Sequence, residues 1–401
     1  MCYDFVLNHL YSMNSRKLWL LFLWRLETEK GFDLIYDFIN QYPDKELPFD
    51  IYIFWTGSFE NWLLELSHRF KEVHFFWWKP LSVVERYLDN IDYCLMPSRF
   101  LETFWLSAIN VLKWWIPVVG FKKWGLVPFI PDEYAIDRCK WMDEQKQFSE
   151  MVSKLEKERK TNDFHFYENL AEKSKWIALR YTKDKWYQKF QKLTFDFKVK
   201  KIVLVSDFIN KVWGIETYIH DVKSLLESHG YEVLLYWNTC PKWFLWKIKK
   251  LFGIWIWCFN VYEAIKFNLF IKKENPDLIW YNSMLRWMWW MPIGVTKRSK
   301  AKKWMMYHDF WYFDPYPHSL CDTKWIKELT LNNYLKQANT KNPIKCMLII
   351  WKYFSLKLLA NSLKKQIDLH LVPSEFMVPI VVKSFWVPEE RVKYFNHFLQ
   401  E

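Results

Sequence analysis

Short apolar runs alternate with amphipathic stretches along most of this chain, and that alternation predicts βαβ units and parallel sheets. Leu18–Leu23, Asp50–Phe54, Tyr93–Met96 and Pro117–Gly120 read as buried strands. Residues 59–70, 81–90 and 102–114 carry the apolar spacing of helices. Residues 143–195 interleave Glu and Lys without Gly or Pro, which predicts charged helices that close a domain or bridge two. A second series then opens. Lys200–Ser206 reads as the first strand of a doubly wound sheet, Glu216–His229 as its helix and Tyr231–Tyr236 as its second strand. Asp277–Tyr281, Lys303–Tyr307 and His370–Val372 read as later strands of the same sheet. The fresh start predicts a boundary near 197–200, with domains over 1–197 and 198–401 whose motifs differ.

Composition changes the picture in two respects. Apolar residues make up 51% of the 401, ample for packed cores, and the net charge is +12. A basic chain favours anionic partners: phosphates or an anionic membrane face. Nucleic acid is the weakest of these, because no finger, helix-turn-helix or RNP string occurs. Seven dispersed cysteines show no CxxC and no Cys/His metal spacing, which predicts reduced thiols in the cytoplasm and no metal. The opening MCYDFVLNHL lacks the basic region of a signal peptide. The longest oily stretch, Leu251–Ile271, contains Asn260, Glu263 and Lys266, which argues against a membrane span. With lysines on both flanks it reads as an interfacial helix or as a core helix with a basic rim.

The second respect is the exchange of two residue types. The chain holds 28 Trp and 8 Gly, where roughly 7% Gly is usual. Several Trp stand in turn strings: Phe54-Trp55-Thr56-Gly57-Ser58, Lys123-Trp124-Gly125-Leu126 and Val212-Trp213-Gly214-Ile215. Read with Gly, these become turn and phosphate-loop strings of an α/β enzyme. A gene that uses UGA for Gly, translated with UGA as Trp, produces this pattern. Trp280, Trp287 and Trp304 lie in aromatic contexts and read as authentic.

Two strings carry candidate chemistry. In Phe22–Gly31 a strand ends in a turn bearing Arg25 and Lys30, two cations suited to a diphosphate or simply to a solvated loop. In Pro97–Asn110 a strand runs through a loop with Glu102 into a helix, so the amides of Phe104, Trp105 and Leu106 would face an anion or hydroxyl. Trp115-Ile116-Pro117-Val118-Val119-Gly120 and the Trp124-Gly125 turn complete the pattern.

With Gly restored, this half resembles the C-terminal, nucleotide-sugar-binding domain of family 4 GT-B glycosyltransferases, whose string is E-x-F-G-x-x-x-x-E followed by G-x-P-V-V. The resemblance covers about residues 15–195. It implies that Arg25 and Lys30 hold the donor diphosphate and that Glu102 binds donor-sugar hydroxyls. It also implies that Phe104, Trp105 and Leu106 meet sugar and phosphate. The second Glu of the string falls on Asn110, and Gly57 lies in the turn under the nucleotide, with His74–Trp77 near the base. The second half resembles the acceptor-binding domain. Trp213-Gly214-Ile215-Glu216 looks like its GGIE loop, although Glu216 also reads as an ordinary carboxylate at a helix start. Tyr307-His308-Asp309 matches its strand-end H-D, and Pro373–Phe376 a strand end before a helix.

The resemblance therefore implies an α/β fold of two Rossmann-like doubly wound domains of GT-B type, in reversed order. A fragment spanning two consecutive transferases is the favoured account, with circular permutation and head-to-tail pairing beside it. The implied activity is retaining, hexosyl-type transfer from a nucleotide-sugar to a hydroxyl of a glycan or lipid-linked acceptor, with no cofactor. Glu102 and His308 carry the catalytic roles, in a cytoplasmic protein peripheral to the inner membrane face. The alternatives are a non-catalytic nucleotide- or sugar-binding fragment, and a dehydrogenase-like protein. The last requires a GxGxxG string that residues 200–237 do not hold.

Overall fold

The computed structural model describes residues 16–43, 46–136, 143–160, 164–207, 214–237, 261–282, 284, 291–310, 312–313, 330–338 and 341–399. The chain divides into two compact units, Met1–Thr182 with Glu401, and Lys183–Gln400.

The first unit is built on six parallel strands: β1 (Leu18–Phe22), β2 (Phe49–Ile53), β3 (Val73–Phe75), β4 (Tyr93–Met96), β5 (Val118–Phe121) and β6 (Ala135–Ile136). Their spatial order is β3-β2-β1-β4-β5-β6. Central strands covered on both faces need continuous apolar runs, and Leu20, Leu21, Phe22, Ile51, Ile53, Leu95, Val118 and Val119 are all buried. The connecting helices are α1 (Phe32–Asn40), α2 (Glu60–Arg69), α3 (Leu81–Leu88) and α4 (Leu106–Leu112). The charged stretch resolves into α5 (Glu144–Lys160), α6 (Phe164–Leu179) and α7 (Lys183–Thr194).

The second unit holds β7 (Lys201–Ser206), β8 (Glu232–Trp237), β9 (Leu278–Tyr281), β10 (Lys302–Met306), β11 (Leu369–Val372) and β12 (Val392–Tyr394). They lie in the order β8-β7-β9-β10-β11-β12, again all parallel. Its helices are α8 (Gly214–Ser228), α9 (Val261–Glu274), α10 (Met291–Val295), α11 (Leu331–Ala338), α12 (Pro343–Gln366) and α13 (Val378–Phe385). Helix α12 has no counterpart among the elements that the sequence pattern predicts. Its start is well marked, because the Asn342 side chain accepts from the amides of Ile344 and Lys345 and Pro343 opens the helix.

The two doubly wound sheets establish the α/β, Rossmann-like fold class. The units part between Thr182 and Lys183, earlier than the expected 197–198. The reason is α7. Trp186 and Phe190 are fully buried in the second core, their rings stacked near Trp280 at 6.0 and 6.2 Å, and Trp186 meets Phe395 edge-on at 4.9 Å. A helix that reads as the close of the first domain therefore seals the second.

Candidate functional site

In a doubly wound sheet, ligands bind beyond the carboxyl ends of the strands, where the strand order reverses. In the first unit that point lies between β1 and β4. The loop after β1 runs beside the loop after β2. The Leu26 amide donates to the Thr56 carbonyl at 3.1 Å, and Leu26 and Gly57 form a parallel bridge. A Cβ at Gly57 would fall 2.5 Å from the Leu26 carbonyl oxygen, so only glycine permits this approach. Glu27 accepts from the Ser58 amide and hydroxyl at 3.2 and 2.7 Å and ties the two turns together.

The loop after β4 is stitched to the same place. The amides of Arg99 and Phe100 donate to the Glu29 carbonyl at 2.9 and 3.1 Å. The Arg99 guanidinium reaches the Thr28 carbonyl, Asp33 and Glu144. A single 3-10 turn, Thr28–Lys30, then aims Lys30 inward, and Gly31 (φ 76°) reverses the chain into α1. Lys30 is buried and its ammonium donates to Glu102 Oε1. The same ammonium lies 4.9 Å from the Phe100 ring centroid and 5.1 Å from that of Trp105. The structure thus brings together Lys30, Glu102 and Trp105, three of the residues the sequence singled out. Arg25 sits in the same turn but is half exposed and pairs with Glu29 at 3.3 Å.

The remaining donor-side candidates are more dispersed. The helix begins at Leu106 instead of 102, so Glu102–Trp105 form its approach loop and Asn110 is buried one turn inside. The Phe104 ring packs on Phe129 and Tyr181 at 5.5 and 5.6 Å and faces the unit's own interior. His74 pairs with Asp50 at 2.7 Å and stacks on Tyr52 at 4.5 Å. Trp24 and Trp105 are both buried, with ring centroids 5.1 Å apart beside the Lys30–Glu102 pair.

In the second unit the corresponding point lies between β7 and β9. Ser206, the last residue of β7, and Asp207, Asn282, His308 and His397, beyond the strand ends, are buried. Asn282 Nδ2 donates to the Trp280 carbonyl at 3.2 Å, which turns its Oδ1 toward His308. His308 Nε2–H therefore donates to Asn282 Oδ1 at 3.0 Å. Its Nδ1 then accepts from His397 Nε2–H at 3.1 Å. The Tyr218 ring lies 4.1 Å from that of His397, and its hydroxyl accepts from Trp186 Nε1 at 3.3 Å. Burial pushes His308 down to about 3 and His397 well below the usual imidazole range. Both imidazoles are neutral at physiological pH. Glu216 is buried in the first turn of α8, and Gly214 is exposed at its start. Trp213 lies outside the described residues.

The sequence reading missed Asn282 and His397. Asn282 directly follows the buried strand β9, a position that draws attention to it, whereas His397 follows the short edge strand β12 and has no such signal. Among the described residues no group of three or more His, Cys, Asp or Glu is placed to hold a metal ion.

No protein-family model matches the chain, and no curated protein matches it. Solved structures similar to it include the pneumococcal O-GlcNAc transferase GtfA in complex with UDP and GlcNAc. That match has 18% identity and a TM-score of 0.33, covering 45% of this chain and 37% of that one. The catalytic domain of cholesterol-alpha-glucosyltransferase from Helicobacter pylori matches at 12% identity and a TM-score of 0.31, covering 41% and 99%. Sucrose-phosphate synthase from Thermosynechococcus elongatus matches at 16% and 0.35, covering 48% and 49%. The chain thus spans well under half the length of GtfA and about half that of the synthase. The fold class rests on the two parallel sheets.

Proposed function

We propose that the chain belongs to a nucleotide-sugar-dependent glycosyltransferase that acts with retention on a glycan or lipid-linked hydroxyl acceptor. The observation that carries this reading is the pairing of buried Lys30 with half-buried Glu102 at the switch point of the first sheet. A cation and a carboxylate held together there supply the two functions a sugar diphosphate needs. Lys30 moves from Glu102 to a phosphate oxygen as the donor enters, and the freed carboxylate accepts from sugar hydroxyls. The acceptor oxygen bonds to the anomeric carbon as the carbon–phosphate oxygen bond breaks. Its proton leaves with the departing diphosphate. Lys30 stabilises the charge that develops on that diphosphate. Within the second unit, neutral His308, held by Asn282 and His397, is a hydrogen-bonding group suited to a hydroxyl and carries no proton-transfer role near pH 7.

The acceptor reading has a surface to match. Val261, Tyr262, Ile265 and Leu269 form an exposed stripe on α9, and Ile344, Met347, Phe354 and Leu358 form another on α12. Lys266, Lys272, Lys273, Lys345 and Lys357 stand beside them. Apolar stripes rimmed by lysines suit an anionic lipid surface, where a lipid-linked acceptor resides, and the protein belongs on the cytoplasmic face of such a membrane. By length and composition α12 is also apolar enough to span a bilayer. Its opposite face, with Leu356, Leu359 and Leu363 buried against the unit, supports the surface role.

A second reading, a non-catalytic nucleotide- or sugar-binding module, is favoured by Trp24 and Trp105, which pack together where a donor would lie. Calorimetric titration with nucleoside diphosphates and their sugar conjugates, together with assay of diphosphate release, separates the readings. Transfer or hydrolysis that falls at least tenfold in Lys30→Ala supports the enzyme, since a charge-assisted hydrogen bond contributes about 1.5–3 kcal/mol. Binding without turnover supports the module, and no nucleotide binding at all overturns both.

A further inference from the structure

Five non-glycine residues among those described have a left-handed backbone, and four of them are tryptophan: Trp77 (φ 51°), Trp115 (φ 66°), Trp124 (φ 51°) and Trp386 (φ 52°). The fifth, Asn275, is a residue type that visits this region routinely. A bulky side chain is disfavoured there because its Cβ crowds the following carbonyl. One such residue is a local oddity. Four of a single residue type require a common cause.

Each of the four stands at a glycine's job. Trp386 ends α13 with φ 52° and ψ 41° and is followed by Val387-Pro388, the left-handed stop and nearby proline that close many helices. Trp115 stands in the turn after α4, and its amide donates to the Leu112 carbonyl at 3.0 Å. The chain shows what it does elsewhere at such a point. Gly230 (φ 85°) ends α8, its amide donating to the Glu227 carbonyl at 3.0 Å. Trp124 opens the tight turn whose next residue, Gly125, would bring a Cβ within 2.6 Å of the Glu102 carbonyl oxygen. Trp77 leaves the end of β3 in the same conformation.

The indoles of Trp77, Trp115 and Trp386 make partly exposed contacts in return, among them a 2.9 Å hydrogen bond from Trp77 Nε1 to Glu60. Trp77 and Trp386 are 45% and 43% exposed. Lysine ammonium groups lie over Trp115 and Trp386 at 4.2 and 4.1 Å, contacts that are modest at exposed sites. Trp186, Trp280 and Trp304 differ in every respect. They are at most 2% exposed, interlock in the second core, and have no left-handed backbone.

We infer that positions 77, 115, 124 and 386 are glycine in the protein as its own cells make it, through a UGA codon those cells read as glycine, while 186, 280 and 304 are true tryptophans. By sequence context the same reading extends to 24 and 105. Two rings then vanish from beside Lys30 and Glu102, leaving a cradle of bare backbone open to a diphosphate. The residue identities do not depend on the transferase reading; only the opening of the cradle rests on it.

Peptide sequencing by mass spectrometry of the chain purified from its source cells tests the identities. Glycine at 77, 115, 124 and 386 with tryptophan at 186, 280 and 304 is the expected result. Tryptophan at any of the four overturns the inference, as does UGG at their codons in the source genome. The cradle is tested separately, by titrating UDP, GDP and ADP into the chain with tryptophan throughout and into a W24G/W105G variant that also carries W77G, W115G, W124G and W386G. At least tenfold tighter binding by the variant upholds the opened cradle. Glycine peptides with no nucleotide bound leave the identities standing and sink the transferase reading instead.

Discussion

His308, His370 and His397 are each buried in the second unit, and burial holds the first two at about 3 and the third well below the ordinary imidazole value. The unfolded chain takes up these protons near pH 6.5. Between about 6.5 and 3 the unfolded state therefore binds more protons than the folded one, and stability falls as the pH falls through that window. The expected loss is about 1–2 kcal/mol per histidine near pH 5. Urea unfolding followed by circular dichroism at pH 7 and pH 5 measures it, and an unchanged midpoint for the second unit would show that the imidazoles are not buried neutral. At this scale the sequence was legible where a motif named a residue. Lys30 was singled out in one string and Glu102 and Trp105 in another, and the fold brings the three side by side. His397 and Asn282 were not, because their significance arises only when strands distant in sequence end side by side.

Elements show the opposite pattern. The central strands were legible to within a residue or two, since a strand covered on both faces can only be an apolar run. Short edge strands such as β3 and β6 were not, because three or two residues leave no periodicity to read. Helix α4 starts four residues later than its apolar spacing suggests, since Glu102–Trp105 are held out as a loop by the Gly125 amide, which donates to the Glu102 carbonyl at 3.1 Å. The ownership of α7 was invisible for a related reason: an amphipathic stripe specifies that a face will be buried and not which sheet will cover it. Trp186→Ala should cost the second unit about 3–5 kcal/mol, the usual loss on emptying a buried aromatic site. The check is a denaturation midpoint that falls for the second unit while the first is unmoved. Loss confined to the first unit would return α7 to the domain its sequence position suggests.

For the whole molecule, a net charge of +12 and two exposed apolar stripes lead to one measurable expectation. The chain should sediment with vesicles that contain anionic phospholipid and remain in solution with purely zwitterionic ones. Added salt should weaken the attachment. The paired change Ile265→Glu and Leu269→Glu should release it while leaving the fold unaltered, both residues being more than half exposed. Equal attachment to both kinds of vesicle, or to neither, would remove the lipid face from the account.

The place of α7 also sets an order of assembly during synthesis. Among the described residues the first unit has all its strands before residue 137, so it is free to fold while the ribosome is still at work. The second begins with the helix that seals it, yet the side chains that enclose Trp186 come from β9 and from Phe395 and Phe398, after β12. The indole, flanked early by Phe190 and Tyr218, therefore waits for its last covering side chains until Phe398 is made, at roughly 5–20 residues per second. A chaperone that holds exposed aromatic surface has its opportunity in that interval.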